Sequence, residues 1–353
     1  MSSQSSSSDH KNPENVWLDA WYGNARWTFW LLPVMWLFVL LSVLRRFWVL
    51  RYLKKHLPTP VIVVGNISIG GTGKTPLIIA MVKRLQQQGY RPGVISRGYG
   101  GLAPAYPYLL DSTSTAKEAG DEPLTIFQQT NAPVAVGANR IAVGRLLEDE
   151  GCDILLSDDG LQHYRLGRDI EIAVVDGQRA LGNGWRLPVG PLRETASRLK
   201  RVDWVIVNSP AENFSFSGAK CESLFYVPMQ IQPAGLIALF SGAAVPYDSV
   251  AKTVNAVAGI GNPRRFANTL LELGFDPQLQ SFPDHHVFTP EDFNFHNGMP
   301  VIMTEKDAVK CREFAKDNWF YLPITAVLPE SFWGAFLQKV ERAVAHKKSG
   351  FLL

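Results

Sequence analysis

The 353-residue chain is 46% hydrophobic and 19% charged, which excludes a mainly disordered or fibrous protein and allows two domains or one large α/β domain. Its net charge of +3 is too small to mark a nucleic-acid binder, so no nucleic-acid partner is implied. Three widely spaced cysteines, Cys152, Cys221 and Cys311, exclude a disulfide framework and a cysteine-ligated metal, and fit a reducing compartment.

Residues 1–15 are polar and Ser-rich and read as a disordered tail. Residues 16–56 read as a membrane-anchoring helix with a basic flank. No charge interrupts Trp27–Leu44, which approaches the length that crosses a bilayer core. Its tryptophans suit an interface, and Pro33 near its start is tolerated in a membrane helix. The apolar run leads into Arg45, Arg46, Arg51, Lys54 and Lys55 rather than into a small-residue cleavage site. That argues against a signal peptide and keeps the flank on the cytoplasmic side, beside anionic headgroups.

From residue 57 the pattern changes to alternating strands and helices. Pro60–Asn66 is a short β-branched run that reads as a buried parallel strand. A Gly-rich loop follows, then an apolar-periodic helix closed by Gly89. Further strands are expected in "RPGVIS", "APVAV", "CDILLS", "IEIAVVD" and "DWVIVNS". The alternation predicts a P-loop NTPase-type parallel sheet with helices on both faces over 57–221. Residues 222–250 read as connecting strands, and 251–353 as a smaller second α/β domain. In that domain "PVIMTEKDAVK" and "WFYLPITAVL" read as strands and "ESFWGAFLQKVERAVAHKK" as a last helix.

"GNISIGGTGKTP", Gly65–Pro76, is nearly a Walker A loop, broken where Ser68 stands at the first glycine position. Backbone N–H groups of such a loop, at the start of a helix, converge on phosphates. Here Ser68, Ile69, Gly70, Gly71, Thr72, Gly73, Lys74 and Thr75 form the expected ATP-binding segment. Lys74 would reach the β- and γ-phosphates, and the Thr75 hydroxyl would sit on Mg²⁺. The second half of such a site is an acid at the end of a neighbouring strand, which "DILLSDDG" supplies as Asp158 and Asp159. "AGDEP" holds a second acidic pair, Asp121 and Glu122, which alone reads equally as a turn before a helix. Arg97, Arg140 and Arg193 are candidates for stabilising phosphoryl charge, or ordinary surface ion pairs. Among only seven histidines, adjacent His285 and His286 after Asp284 are a better proton-transfer candidate than a lone residue such as His163.

Taken together, "VGNISIGGTGKTP", "SRGYGG", "GDEP", "SDDGLQHYRLGRDIEIAVVD", "GNGWRLPVGPLRE", "FPDHHVF" and "TEKDAVK" resemble the tetraacyldisaccharide 4′-kinases of lipid A biosynthesis in Gram-negative bacteria. The resemblance covers nearly the whole chain, and "DDGLQH" and "PVGPLRE" are absent from generic P-loop proteins. In that family Ser or Thr opens the phosphate loop, so Ser68 fits. The resemblance implies transfer of the γ-phosphate of ATP, with Mg²⁺, to the 4′-hydroxyl of a lipid-linked glucosamine disaccharide 1-phosphate. It implies a location on the cytoplasmic side of the bacterial inner membrane. It also implies an aspartate–histidine dyad, with Asp121 as base and His285 as partner on different domains that must close together. Asp158, as a metal residue, and Asp159 would handle Mg²⁺ and phosphate geometry, while Arg140, His163 and Glu194 would line the substrate or phosphate site.

The competing reading is a membrane-anchored P-loop ATPase or switch without a lipid sugar acceptor. "GGTGKT" is similar to deviant Walker loops, but those carry a lysine where Ile69 stands. "TEKD" has the letters of the guanine-specifying motif in the wrong order.

Overall fold

The computed structural model describes residues 13–23, 25–212, 214–216, 224–295 and 297–350. In chain order the elements are α1 (Pro13–Tyr22), α2 (Leu32–Trp48), β1 (Val61–Gly65), α3 (Lys74–Gln87), β2 (Pro92–Ser96), β3 (Tyr108–Leu109), α4 (Ala116–Ala119), α5 (Asp121–Thr130), β4 (Val134–Val136), α6 (Arg140–Asp149), β5 (Ile154–Ser157), β6 (Ile170–Asp176) and β7 (Trp204–Asn208). They continue with β8 (Val227–Pro233), β9 (Leu236–Ala238), β10 (Ala244–Val245), β11 (Thr253–Ala258), α7 (Pro263–Glu272), β12 (Asp276–Ser281), β13 (Val301–Thr304), α8 (Glu305–Cys311), β14 (Trp319–Leu322), β15 (Ile324–Val327) and α9 (Glu330–Gly350).

Uninterrupted Val/Ile/Leu runs are stable only where both faces of a strand are covered. Accordingly β1, β2, β4 and β5 are buried throughout, in a nine-stranded sheet ordered β15-β8-β7-β6-β1-β5-β2-β4-β3. All its pairings are parallel except at the edges, where β3 and β15 run antiparallel. One face packs on α3, α5 and α9 through residues such as Leu77, Ile126 and Phe336. The other packs on α6 and the 160–200 connections through Ile141, Leu161 and Leu192. Parallel strands release their loops at one edge, so the loops after β1, β2 and β5 converge there. A second sheet, β10-β9-β14-β13-β11-β12, carries its own two cores.

Three expectations about the C-terminal half are corrected. β8 is no connector: it pairs parallel with β7 and buries Val227 and Met229. "PVIMTEKDAVK" is a strand and then a helix, because Thr304 at the end of β13 caps α8 by accepting from Asp307 N, with Glu305 and Asp307 in the first turn. "WFYLPITAVL" is two strands in different sheets. Pro323 lacks the N–H that a continuous ladder needs, so β14 stays with β13 while β15 crosses to β8. The last helix follows it, and α9 inserts Phe332, Trp333, Phe336 and Val340 into the large-sheet core. The chain therefore leaves the large sheet after β8, builds the small one, and returns.

At the other end, α1 starts at Pro13, inside the stretch read as a tail; residues 1–12 lie outside the described residues. A helical run of 28 residues, Arg26–Leu53, follows it. Only Thr28, Met35 and Val49 are buried along it, whereas Trp30 is 88% exposed and Phe47 67%. A core helix of a soluble domain would show the reverse, and so much contiguous exposed apolar surface marks an interaction face.

Placing α9 on the large sheet has a measurable consequence. Phe336→Ala removes a fully buried ring 6.2 Å from Trp204 and is expected to cost about 3–5 kcal/mol. Phe225→Ala, at an 83% exposed ring, should cost under about 0.5 kcal/mol. Denaturant titration followed by tryptophan fluorescence compares the two; equal costs would contradict this placement.

Candidate active site

The loop between β1 and α3 is held open by its neighbours. Arg193 N donates to Ile67 O at 2.7 Å and Ile69 N to Pro191 O at 2.9 Å, with a bridge pairing Ser68 and Leu192. Ser68 therefore sits in paired backbone, and its φ is not positive, so no glycine is needed there. Gly70 and Gly73 differ, with φ of 105° and 90°. A Cβ on Gly73 would also lie 2.6 Å from the Asn208 amide, which donates to Thr72 O. Gly71 faces open space, where a phosphate group can approach the backbone. α3 begins at Lys74, so its free N–H groups point into this concavity.

β5 runs beside β1 and delivers the acids. Asp159 takes a left-handed φ of 45° and pairs with Lys74 Nζ at 3.6 Å and Arg193 at 2.9 Å. Burial alone would raise its carboxyl, but those two cations outweigh it and hold it below the ordinary value. Asp158 points inward. Burial first, and Glu122 next, push its carboxyl up, and its Oδ1 has no hydrogen-bond partner. Its Oδ2 accepts from Ser96 at 3.4 Å. Buried Arg140, at the start of α6, donates to Ser157 Oγ at 2.8 Å and to the Asp158 carbonyl. His163 is half-buried nearby with Nδ1 unpartnered; burial, then Arg140 and Arg168, push its pKa down to about 4, so the ring is neutral.

Asp121 opens α5, reached from Ser96 through a loop whose Gly98–Gly101 backbone packs on Gly120. Its Oδ2 lies 3.1 Å from His285 Nδ1. An ionised carboxylate only accepts, so Nδ1 donates. Lys310 of α8 stands 3.6 Å from the same oxygen and 2.9 Å from Asp307, which is fully buried. Lys306 reaches Asp284 at 2.9 Å, Glu122 at 4.0 Å and His285 Nε2 at 3.4 Å. Burial would raise the Asp121 carboxyl, yet the His285 hydrogen bond and the Lys310 and Lys306 charges hold it below the ordinary value. The Asp121 bond raises the His285 pKa, against burial and Lys306. Asp121 Oδ1 accepts no hydrogen bond from a described residue, so one oxygen faces outward while the other is fixed. The dyad was expected to need domain closure; here the two halves already touch. His286 turns away to Asp292 at 3.1 Å.

Glu194 is not in the phosphate cluster. Its oxygens take Gln162 at 2.8 Å and the Tyr164 hydroxyl, and pair with Arg198 and Arg46, each at 3.6 Å. Sequence reasoning missed Arg179, which donates to Gly71 O and covers Gly70. It also gave no role to Lys306, Asp307 and Lys310, although two lysines four apart on a capped helix share one face. Among the described residues no three His, Cys, Asp or Glu are grouped to hold a metal.

A family model described as tetraacyldisaccharide-1-P 4′-kinase matches residues 27–341. The tetraacyldisaccharide 4′-kinase of Legionella pneumophila (strain Lens) is 46% identical over 317 residues, covering 90% of this chain and 94% of that protein. The one from Tolumonas auensis is 48% identical over 325 residues, covering 88% and 93%. The crystal structure of LpxK from Aquifex aeolicus in complex with ATP superposes with a TM-score of 0.72 at 28% identity, covering 90% of this chain and 99% of that one.

The two inner loop glycines should separate on substitution. Gly73→Ala forces a side chain into a left-handed backbone and onto Asn208, and is expected to destabilise by at least about 1–2 kcal/mol. Gly71→Ala should stay within about 0.5 kcal/mol. Thermal unfolding of the two variants checks this; equal losses would mean the loop has another conformation.

Proposed function

The chain belongs to the tetraacyldisaccharide-1-phosphate 4′-kinase family, and we propose on that footing that it transfers the γ-phosphate of ATP to the 4′-hydroxyl of a tetraacyl glucosamine disaccharide 1-phosphate, in lipid A biosynthesis. The observation that carries the mechanism is the Asp121–His285 pair, joined across the two sheets at the loop edge where the phosphate loop also opens.

The backbone of Gly70–Thr75 and the Lys74 ammonium receive the phosphate chain. Before a nucleotide arrives, Asp159 holds Lys74 and Arg193, so both cations are oriented at no further ordering cost. Arg179 and Arg140 add fixed positive charge around the loop. The acceptor hydroxyl meets Asp121 Oδ1 and passes its proton there as the new P–O bond forms and the bond to the leaving ADP oxygen breaks. His285 keeps Oδ2 engaged, so the free oxygen is the one that reacts, and Lys310 keeps the carboxylate ionised. The residues present suit Mg²⁺: the unpartnered buried Asp158 Oδ1 and the Thr75 hydroxyl are hard oxygen donors and would hold it. When bound, the ion neutralises charge on the β- and γ-phosphate oxygens.

The acceptor is a membrane lipid, and the exposed apolar helix is the device that brings the site to it. At 1.5 Å per residue the run Arg26–Leu53 is about 42 Å long. It does not stand clear of the body. Phe29 packs on Trp185 at 5.7 Å, Arg186 lies 5.3 Å over Phe38, and Arg46 pairs with Glu194. A guanidinium against the middle of a spanning helix would have to enter hydrocarbon, which is costly. The contacts therefore favour a helix lying in the interface of the inner membrane, apolar face down, with its basic end and the catalytic body on the cytoplasmic side.

Three outcomes test this reading. With ATP and Mg²⁺, turnover should depend on the acylated disaccharide; comparable hydrolysis without it would instead support an ATPase. Lys74→Ala should lower kcat by about 10²–10³-fold. Asp121→Asn should lower kcat by about 10²–10⁴-fold with the KM for ATP unchanged; lost nucleotide affinity alone would make Asp121 a structural residue.

The pH profile carries a sign. Asp121 is ionised throughout the neutral range, so the acid limb belongs to His285. Its protonation sets an imidazolium against Asp121 and makes the carboxylate a weaker base. Activity should rise with pH through a limb above the ordinary histidine value of about 6.5, and His285→Gln should move that limb down toward the carboxylate range. An unmoved limb in the variant would assign it to another group.

A further inference from the structure

A cavity of about 360 Å³ lies on the outer side of α6, away from the phosphate loop. Three cations, Lys55, Arg145 and Arg165, line it, against one acid, Asp149, and an apolar wall that includes Ile141 and Leu146. None of the three cations makes an ion pair or a side-chain hydrogen bond with a described residue. Some exposed cations elsewhere find carboxylates, as Arg84 does with Glu330 and Lys252 with Asp248, whereas what sets these three apart is that they share one cavity. Three uncompensated like charges around one cavity repel one another, and an anion relieves that.

Position supplies the second observation. The long apolar helix ends at Leu53, and Lys55 is clamped two residues later. Lys55 N donates to Arg165 O at 2.8 Å and Gly167 N to Lys55 O at 2.7 Å. The cavity mouth is thereby tied by backbone to the end of the helix that meets the lipid, whatever its exact tilt. α6 shares its first turn, Arg140, with the phosphate site and gives its opposite face to the cavity.

We propose that this cavity receives a phosphate group carried by a lipid. Its cations match the anionic head, and its apolar wall matches the glycerol or acyl stem beside it. Two lipids carry such a group: an anionic phospholipid of the leaflet, and the acceptor through its distal 1-phosphate. The second source rests on the kinase reading above, and the first does not.

The test uses the full chain and an Arg145→Ala/Arg165→Ala double variant. Both side chains are exposed, so folding is checked by an unchanged melting curve. Arg145→Lys/Arg165→Lys keeps the charge, and Arg264→Ala/Lys316→Ala removes the same charge from a distant surface. In one arm, sedimentation measures binding to phosphatidylcholine vesicles with and without phosphatidylglycerol, with neither ATP nor acceptor present. In the other, kinetics in neutral detergent measure the KM for the acceptor with and without its 1-phosphate.

If the phospholipid is the source, the alanine pair loses about 25-fold in affinity for the anionic vesicles, roughly fivefold per cation. The lysine pair and the distant pair keep it. If the acceptor is the source, vesicle binding holds, and KM rises by a similar factor only for the 1-phosphorylated acceptor. No change in either arm overturns the proposal, as does an equal loss in the distant pair. A wild-type chain that phosphorylates no acceptor refutes the kinase reading instead, and the vesicle arm then decides the cavity alone.

Discussion

The Asp121 carboxylate joins the two sheets at the candidate site. Asp121 starts a helix of the large sheet, and its Oδ2 is gripped by His285 and Lys310, both from the small one. Lys310 does not act alone: it pairs with Asp307, whose other oxygen accepts from Gly259 N at 2.8 Å and Thr304 Oγ1 at 2.6 Å. A carboxylate with no exposed surface survives only with such partners, since breaking one buried pair costs about 3–5 kcal/mol. The arrangement thus sets the height of the small sheet over the large one and the orientation of the Asp121 carboxyl at once. It also explains why α8 must be a helix. Only helical spacing puts Lys306 on Glu122 and Asp284 while Lys310, one turn later, reaches Asp121.

The phosphate side obeys the opposite rule. There the polar groups are left incomplete: Asp158 Oδ1 and Thr72 Oγ1 are buried without hydrogen-bond partners, and Asp158 faces Glu122 with no cation bonded to its carboxyl. Each such group costs about 1–3 kcal/mol when nothing satisfies it. A structural site would have eliminated these costs, whereas a site that binds a charged ligand keeps them for the ligand to relieve. Asp159 differs in its charge partners: its Oδ2 accepts from Arg193 and its Oδ1, which has no hydrogen-bond partner, lies 3.6 Å from the Lys74 ammonium. Adjacent acids on one strand end therefore do different work.

Much of this was legible in the sequence because it is local. The strand–loop–helix of the phosphate site depends on residues within one stretch of about 25, so its pattern carried the assignment. Ser68 looked anomalous only because the reason for it, pairing with Leu192, lies more than a hundred residues away. The same distance hid the return of the chain to the large sheet. Nothing near Pro323 says which sheet β15 joins; the decision is made by the free edge of β8 and by the apolar stripe of α9. Glu194 was assigned to the substrate or phosphate site only through the family resemblance. In the structure Arg193 pairs with Asp159 while Glu194 pairs with Arg46 of the exposed apolar helix.

That last division links the exposed apolar helix to the phosphate loop. Arg46 of the apolar helix pairs with Glu194 and stacks over Tyr164 at 4.6 Å. Glu194 holds Gln162, Gln162 also donates to Asn66 O at 3.1 Å, and the Asn66 amide donates to Gly70 O at 3.2 Å. Arg46, Glu194, Gln162 and Asn66 thus link the exposed apolar helix to the phosphate loop, with the Asn66 backbone carbonyl as one of the contacts. The hydrogen bonds of this chain are partly buried, while its outer ion pair, through Arg46, remains about a third exposed. A free kinase domain could meet a lipid acceptor at any height. If that helix lies at a lipid interface, as proposed above, the linkage would hold the phosphate loop at a set height, where a hydroxyl in the headgroup layer would meet it.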